Sequence, residues 1–443
     1  MRRAALAAAA LLAACLTPSH AADGYVTASG NRFLNADVTI SQGSRLTFVN
    51  ADLAPHNVVA EAAGRTGPLF ASGTATTGQT AEVKGVETLA PSTYTFLCTL
   101  HPSMRGTLTV TAPGAATFLP TPTGANVPTP TSLTVHDGAL YVASYAAGSV
   151  VSMPILPGGA LGPATPYATG FSSPLGVAFG PDGTLYVADS HAAGPRTVGR
   201  VWAVKNGAST VVIDGLPNGR HNTNGMAVAN GRLYVANGNA TDDGVSGGDH
   251  ELPLNGTVLS YALPIRKNAR PTVEAKGLRN PYDVAFRPGT TELWFPTNGP
   301  DALAPLGVDL LHRTDVRKGP ADYGFPACLY DASLKRAQNP RVDSKCRPTA
   351  TPELSLGLHV SANGIAFGPG GAWGGDAYVA EYGSNDPSEA GHRVVRVPIV
   401  NGRAQPPRDV LVGPSPLDVA FGPDGLYVAD FATGTITLLR AVG

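Results

Sequence analysis

Pro174-Leu175-Gly176-Val177-Ala178-Phe179-Gly180-Pro181-Asp182-Gly183-Thr184-Leu185-Tyr186-Val187-Ala188-Asp189 reads as a strand, a tight Gly-rich turn and a second strand. A second copy, Pro416-Leu417-Asp418-Val419-Ala420-Phe421-Gly422-Pro423-Asp424-Gly425-Leu426-Tyr427-Val428-Ala429-Asp430, lies near the C-terminus. Weaker copies pair Leu133-Thr134-Val135 with Leu140-Tyr141-Val142, and Met226-Ala227-Val228 with Leu233-Tyr234-Val235. Two more pair Val284-Ala285-Phe286 with Leu293-Trp294-Phe295, and Ile365-Ala366-Phe367 with Ala377-Tyr378-Val379. The aromatic anchors stand at Tyr141, Tyr186, Tyr234, Trp294, Tyr378 and Tyr427, so the steps are 45, 48, 60, 84 and 49 residues.

Units of this length built only of strands imply sheets set radially around an axis. The expectation is a six-bladed β-propeller over residues 132–443, with insertions at roughly 240–256 and 301–357. A repeat speaks for the fold and is silent on chemistry.

Composition agrees with an all-β chain. Gly 53 and Pro 39 together make up about a fifth of the 443 residues, which favours short strands and tight turns over helix bundles. Hydrophobic residues at 43% can fill a large core, and the length calls for two domains or one large body. A net charge of −1 with no basic run beyond Arg2-Arg3 disfavours a nucleic-acid partner.

Residues 1–22 read as an export signal. Arg2-Arg3 precedes the apolar run Ala4 to Ala14, too short to span a bilayer. Two processing readings compete. Leu12-Ala13-Ala14-Cys15 resembles a lipobox, with a lipid anchor on Cys15, and Ser19-His20-Ala21 resembles a signal-peptidase site. Either makes the mature chain periplasmic, or an outer-membrane or cell-surface lipoprotein. In such a compartment Cys328 and Cys346, 18 apart, are expected to pair, two free thiols being the alternative.

Residues 23–112 carry a different pattern. Val38-Thr39-Ile40, Arg45-Leu46-Thr47-Phe48-Val49, Thr93-Tyr94-Thr95-Phe96-Leu97 and Thr107-Leu108-Thr109-Val110 alternate as half-buried strands do. Together they predict a small Greek-key β-sandwich. Between the last two lie Cys98, His101 and Met104, at i, i+3 and i+6, and His56 lies upstream after a turn. Two imidazoles, a thiolate and a weak thioether suit copper, as in a type 1 electron-transfer site. Structural zinc fits less well, since Met is a poor zinc ligand.

This segment resembles the cupredoxins, in particular the amicyanin and plastocyanin group with its short C-x-x-H-x-x-M loop. The resemblance implies that Asn57 braces the copper loop. It also implies that a redox partner protein docks near His101, among Pro55, Leu100 and Pro102. A Pro/Thr-rich linker is expected over residues 113–131, unless Phe118-Leu119 forms a closing strand for the next domain.

The propeller's chemistry must come from what interrupts the repeat. Asn224-Gly225, Tyr282-Asp283, Asn363-Gly364 and Leu417-Asp418 precede the inner-strand runs, and the turns before them add His221, Arg279 and His359. One channel mouth is expected to gather them all as a small-molecule site. The motifs His221-Asn222-Thr223-Asn224-Gly225, Gly277-Leu278-Arg279-Asn280-Pro281, Asn298-Gly299-Pro300-Asp301 and Asp322-Tyr323-Gly324-Phe325-Pro326 resemble the glucose/sorbosone dehydrogenase family, whose members use pyrroloquinoline quinone (PQQ).

That resemblance implies oxidation of a sugar or alcohol substrate, with His221 as general base and Arg279 holding cofactor or substrate oxygens. It further implies calcium on the carbonyls of Gly299 and Pro300, and His359, Arg393 and Arg396 as cofactor contacts, the two arginines by position only. The chain departs from the family by having Asn239 where an acid is expected. Three readings stay open: a quinoprotein dehydrogenase fused to its own copper acceptor, a copper carrier beside a non-catalytic ligand- or partner-binding propeller, and a metal-dependent lactonase using Asn224, Asp283, Asn363 and Asp418.

Overall fold

The computed structural model describes residues 24–34, 36–41, 45–64, 67–111, 117–194, 196–244, 250–301, 307–331, 336–338, 346–383, 390–413 and 415–442. The expected export signal and Cys15 lie outside the described residues. There is no α-helix among the described residues, and none of their helical turns is long and apolar enough to cross a membrane. The chain separates into two compact units, Met1–Ala116 and Thr117–Val442.

The first unit is a β-sandwich. Gly24–Ser29 runs parallel to Leu46–Asn50, which pairs with Thr80–Lys84. Ser92–Cys98 pairs with His101–Thr111, which runs parallel to Asp37–Ser41. Alternation puts Leu46, Phe48 and Asn50 inward from one strand, and Met104, Gly106, Leu108 and Val110 inward from another. They close over one core with Val26, Phe33, Ile40, Val58, Phe70 and Phe96. Gly106 has no alternative at its position, because a Cβ there would strike the Ala36 carbonyl and the Phe96 ring.

The second unit is a propeller of six sheets. Their inner strands are Pro130–His136, Gly176–Phe179, Thr223–Ala229, Ala285–Phe286, Ala362–Phe367 and Pro416–Gly422. Each is followed by a strand that carries one of the six aromatic anchors. Six apolar clusters fill the six gaps between neighbouring sheets, the last joining Leu133, Leu140 and Met153 of the first blade to Tyr427, Ile436 and Leu438 of the sixth. The ring is therefore closed by packing all the way round.

Two expectations change here. Over residues 117–126 the linker gives way to its stated alternative: Phe118-Leu119 lie in the strand Thr117–Asn126, which pairs with Thr435–Val442 as the outermost strand of the sixth blade. Pro120 and Pro122 are tolerated because an outermost strand has a side that needs no N–H donors. The second expected insertion, 301–357, contains the blade strand Val308–Asp315 and most of Leu354–Leu358. The expected pairing of Cys328 with Cys346 is present as a disulfide.

Candidate functional site

In the sandwich, the turn from Cys98 to His101 joins two strands that pair directly at these residues. It delivers Cys98 and His101 together, while His56 arrives from the turn after Leu46–Asn50, held by a bridge to Ala75. Cys98 Sγ lies 3.6 Å from His56 Nδ1 and 3.8 Å from His101 Nδ1, and the two Nδ1 atoms are 3.0 Å apart. These three residues form a group whose ligand atoms all lie within 4.8 Å of one another. His56 and Cys98 are fully buried, Met104 is 3% exposed, and His101 is half-buried at the surface.

The loop is fastened from outside. Asn57 Nδ2 donates to Thr99 Oγ1 at 2.8 Å, and the Thr99 amide donates back to Asn57 Oδ1 at 2.9 Å. On the far side of the His56 ring, Nε2 donates to Asp52 Oδ2 at 3.1 Å. Hydrogen bonds from the Asn31 amide and from His56 hold the Asp52 carboxyl down at about 2.

A family profile described as copper-binding proteins of the plastocyanin/azurin family matches residues 24–111. Amicyanin-alpha of Methylorubrum extorquens is 35% identical over 112 residues, which cover 24% of this chain and 86% of that protein. The chain belongs to the plastocyanin/azurin family of copper-binding proteins. Its cupredoxin domain presents His56, Cys98 and His101 as the copper site, and two imidazoles beside a buried thiol are a donor set that fits the metal.

In the propeller, the turns preceding three inner strands border one open cavity of about 410 Å³. His221, Arg279, Asn298, Asp301, Asp309 and His359 line it, with Gly299 beside them. Pro300 lines a small adjoining apolar pocket instead.

His221 donates from Nδ1 to Asn239 Oδ1 at 2.7 Å. The direction is set by the amide's other bonds: Asn239 Nδ2 donates to the Thr241 carbonyl and to Glu251 Oε1, and its Oδ1 also accepts the Asn280 amide. Oδ1 must accept, so the ring is protonated on Nδ1 and its Nε2 lone pair is left free. The amide thus fills the orienting role of the carboxylate expected at Asn239's position. Burial and the adjacent Arg279 push the His221 pKa down to about 3, against a role as general base near neutral pH.

Arg279 is 6% exposed and is held by Asp242 Oδ1 at 2.6 Å and the Asn298 carbonyl at 3.3 Å. Arg220 is paired with Asp301, with Asp242 also nearby. Asp309 accepts amides from Gly299 and Ala362, and burial lifts it to about 6. Asp242 and Asp309 were missed in the sequence; an acid inside the apolar run Gly307-Val308-Asp309-Leu310-Leu311 was the available signal for the second.

Other expected members lie elsewhere. Asp283 and Asp418 line a second cavity of about 610 Å³. There Asp418 accepts the Leu133 amide and Asp283 the Ile365 amide, each tying one blade to another. Gly225 and Gly364 leave room for these carboxylates, which a Cβ would strike. Arg393 and Arg396 are absent from the walls of the 410 Å³ cavity. Arg393 pairs with Glu381 and Asp409, and Arg396 pairs with Asp376 while its guanidinium lies over the Phe118 ring.

The propeller unit is similar in fold to sugar dehydrogenases. A glucose dehydrogenase from Thermus thermophilus is 22% identical with a TM-score of 0.54, over 73% of this chain and 100% of that one. The PQQ-bound form of an aldose sugar dehydrogenase from Streptomyces coelicolor is 20% identical with a TM-score of 0.54, over 74% and 99%.

Proposed function

We propose that this chain is an exported electron-transfer protein in which a type 1 copper domain accepts electrons, one at a time, from a propeller of the sugar or alcohol dehydrogenase type. The observation that carries the reading is the triangle of His56, Cys98 and His101. Met104, buried on the strand that leaves the loop, is the proposed axial ligand. Such a donor set compromises between the preferences of Cu(I) and Cu(II), so little rearrangement accompanies electron transfer. Half-buried His101, with Leu53 and Leu100 exposed nearby in sequence to the two ligand turns, is the proposed exit to a redox partner.

For the propeller, support comes from the fold and from His221, whose neutral ring can accept a hydrogen bond from a substrate hydroxyl at Nε2, although a pKa of about 3 makes it a weak proton acceptor. Oxidation of an alcohol carbon releases two electrons and two protons, and a copper site takes one electron. A two-electron carrier bound in the propeller would have to accept the pair, the protons passing to water. The tethered copper, at high effective concentration, would then be reduced twice per substrate. PQQ is tested against the cavity by charge. Among the described residues that line it the one arginine, Arg279, is already neutralised by Asp242, and Asp301 and Asp309 add two further acids. These walls do not match a tricarboxylate. The same pairing favours a second reading, in which the propeller binds an uncharged polyol or a partner without catalysis.

The experiment is reconstitution of the full chain with copper, followed by calcium and PQQ, and then sugars and alcohols. Bleaching of the blue absorption by substrate only after PQQ is added supports the dehydrogenase. Absence of quinone binding, with His221→Ala changing nothing, removes it in favour of the second reading. The copper assignment is decided separately, by loss of the blue band in Cys98→Ser.

A further inference from the structure

The outer nitrogen of His56 faces a side-chain carboxylate. We infer that Asp52 is a positioning residue that strengthens His56 as a copper donor and lowers the reduction potential of the site. The inference rests on the copper-binding reading of His56, Cys98 and His101.

The geometry is specific. His56 turns Nδ1 toward Cys98 and His101, which leaves Nε2–H pointing away from the metal position. That hydrogen reaches Asp52 Oδ2 at 3.1 Å. The ring is fully buried, while the Asp52 side chain is 15% exposed, so the contact faces little competition from water on the ring side. Asp52 is itself aimed: the Asn31 amide donates to Oδ2 and the Leu53 amide to Oδ1, each at 2.7 Å. Its own amide donates to Asn50 Oδ1, and Asn50 Nδ2 donates to the carbonyls of Ala54 and Ala75. Residues 50 to 56 therefore form one turn that presents a carboxylate to the back of a ligand.

A carboxylate on the remote N–H draws the proton and raises the electron density at Nδ1, fixing both the tautomer and the ring plane. The richer donor and the nearby negative charge stabilise Cu(II) more than Cu(I), since the former carries one more positive charge. The potential is held down as a result.

Asp52→Asn tests this in the full-length copper protein, because the amide oxygen can still accept from His56 while the charge is gone. Cu(II) is expected to bind about 10-fold more weakly relative to Cu(I), the lower end of the usual cost of removing such a partner. For a one-electron couple that ratio is a rise of about 59 mV in potential. The blue band should remain, which separates this result from failure of the copper assignment itself. An unchanged potential in a blue Asp52→Asn protein overturns the proposal. A second measurement needs no variant: in the diamagnetic Cu(I) protein, His56 Nε2–H should appear as a slowly exchanging, downfield ring proton, and a proton in rapid exchange with water overturns it equally.

Discussion

His221 Nδ1 and Asn239 Oδ1 lie 2.7 Å apart, and both donors of that amide are taken by Thr241 and Glu251. A neutral group therefore fixes the tautomer of a buried imidazole that has an arginine beside it.

Replacing Asn239 by Asp would put a negative charge on the ring's N–H. The His221 pKa should rise from about 3, because a carboxylate favours the imidazolium that burial and Arg279 oppose. A ring-proton NMR titration of wild type and Asn239→Asp reads this directly, and an unmoved midpoint would contradict it.

His312 is buried between Phe295 and Tyr323, with Nε2 against Thr297 Oγ1, and burial pushes its pKa down to about 3. The unfolded chain binds a proton at this site near pH 6.5, and the folded chain resists until about 3. Between those values the folded state loses stability as pH falls, by up to ~1.4 kcal/mol per pH unit for the one group. His312→Phe should abolish that contribution. Urea unfolding at pH 7 and pH 4 should show the variant losing less stability on acidification than the wild type.

Arg279 and Asp242 form a buried pair, 6% and 9% exposed. Arg279→Met takes away the 2.6 Å partner of this carboxylate, which keeps Arg220 at 3.7 Å, and should cost about 1.5–3 kcal/mol. Arg279→Met with Asp242→Asn should recover a large part of that loss, since asparagine can still accept the Asp301 amide. Chemical unfolding of the three proteins measures the coupling.

In the cupredoxin, Asn57 and Thr99 exchange two hydrogen bonds across the ligand loop. Asn57→Ala removes both and should cost about 1–3 kcal/mol, with faster copper release, because the Thr99 amide loses its acceptor. Thr99→Ala keeps the amide bond and should cost less. Thermal unfolding and copper off-rates rank the two.

How much could be read beforehand depends on how local each feature is. Cys98 and His101 sit within four residues, so their spacing pointed to a ligand turn, and the six aromatic anchors gave the blade count. Asp52 is as near to His56 as His101 is to Cys98, to within one residue, yet an irregular turn has no period from which its direction could be inferred. Asp283 and Asp418 were expected beside His221. They line another cavity, Asp418 from within the inner strand Pro416–Gly422 and Asp283 from just before Ala285–Phe286, while His221, Arg279 and His359 lie further back in the turns. The strand Thr117–Asn126 could be offered beforehand only as an alternative, through Phe118-Leu119, because its prolines suit an outermost strand as well as a linker.

The pairing of Thr117–Asn126 with Thr435–Val442 also sets an order of events during synthesis. The copper domain has all its strands once Thr111 is made, so it can fold early and independently of the blades. The sixth blade must wait for the final eight-residue strand, and until then the first and last blades expose the apolar faces they later share. A chain cut short by that one strand would carry a finished copper domain on an open ring prone to association.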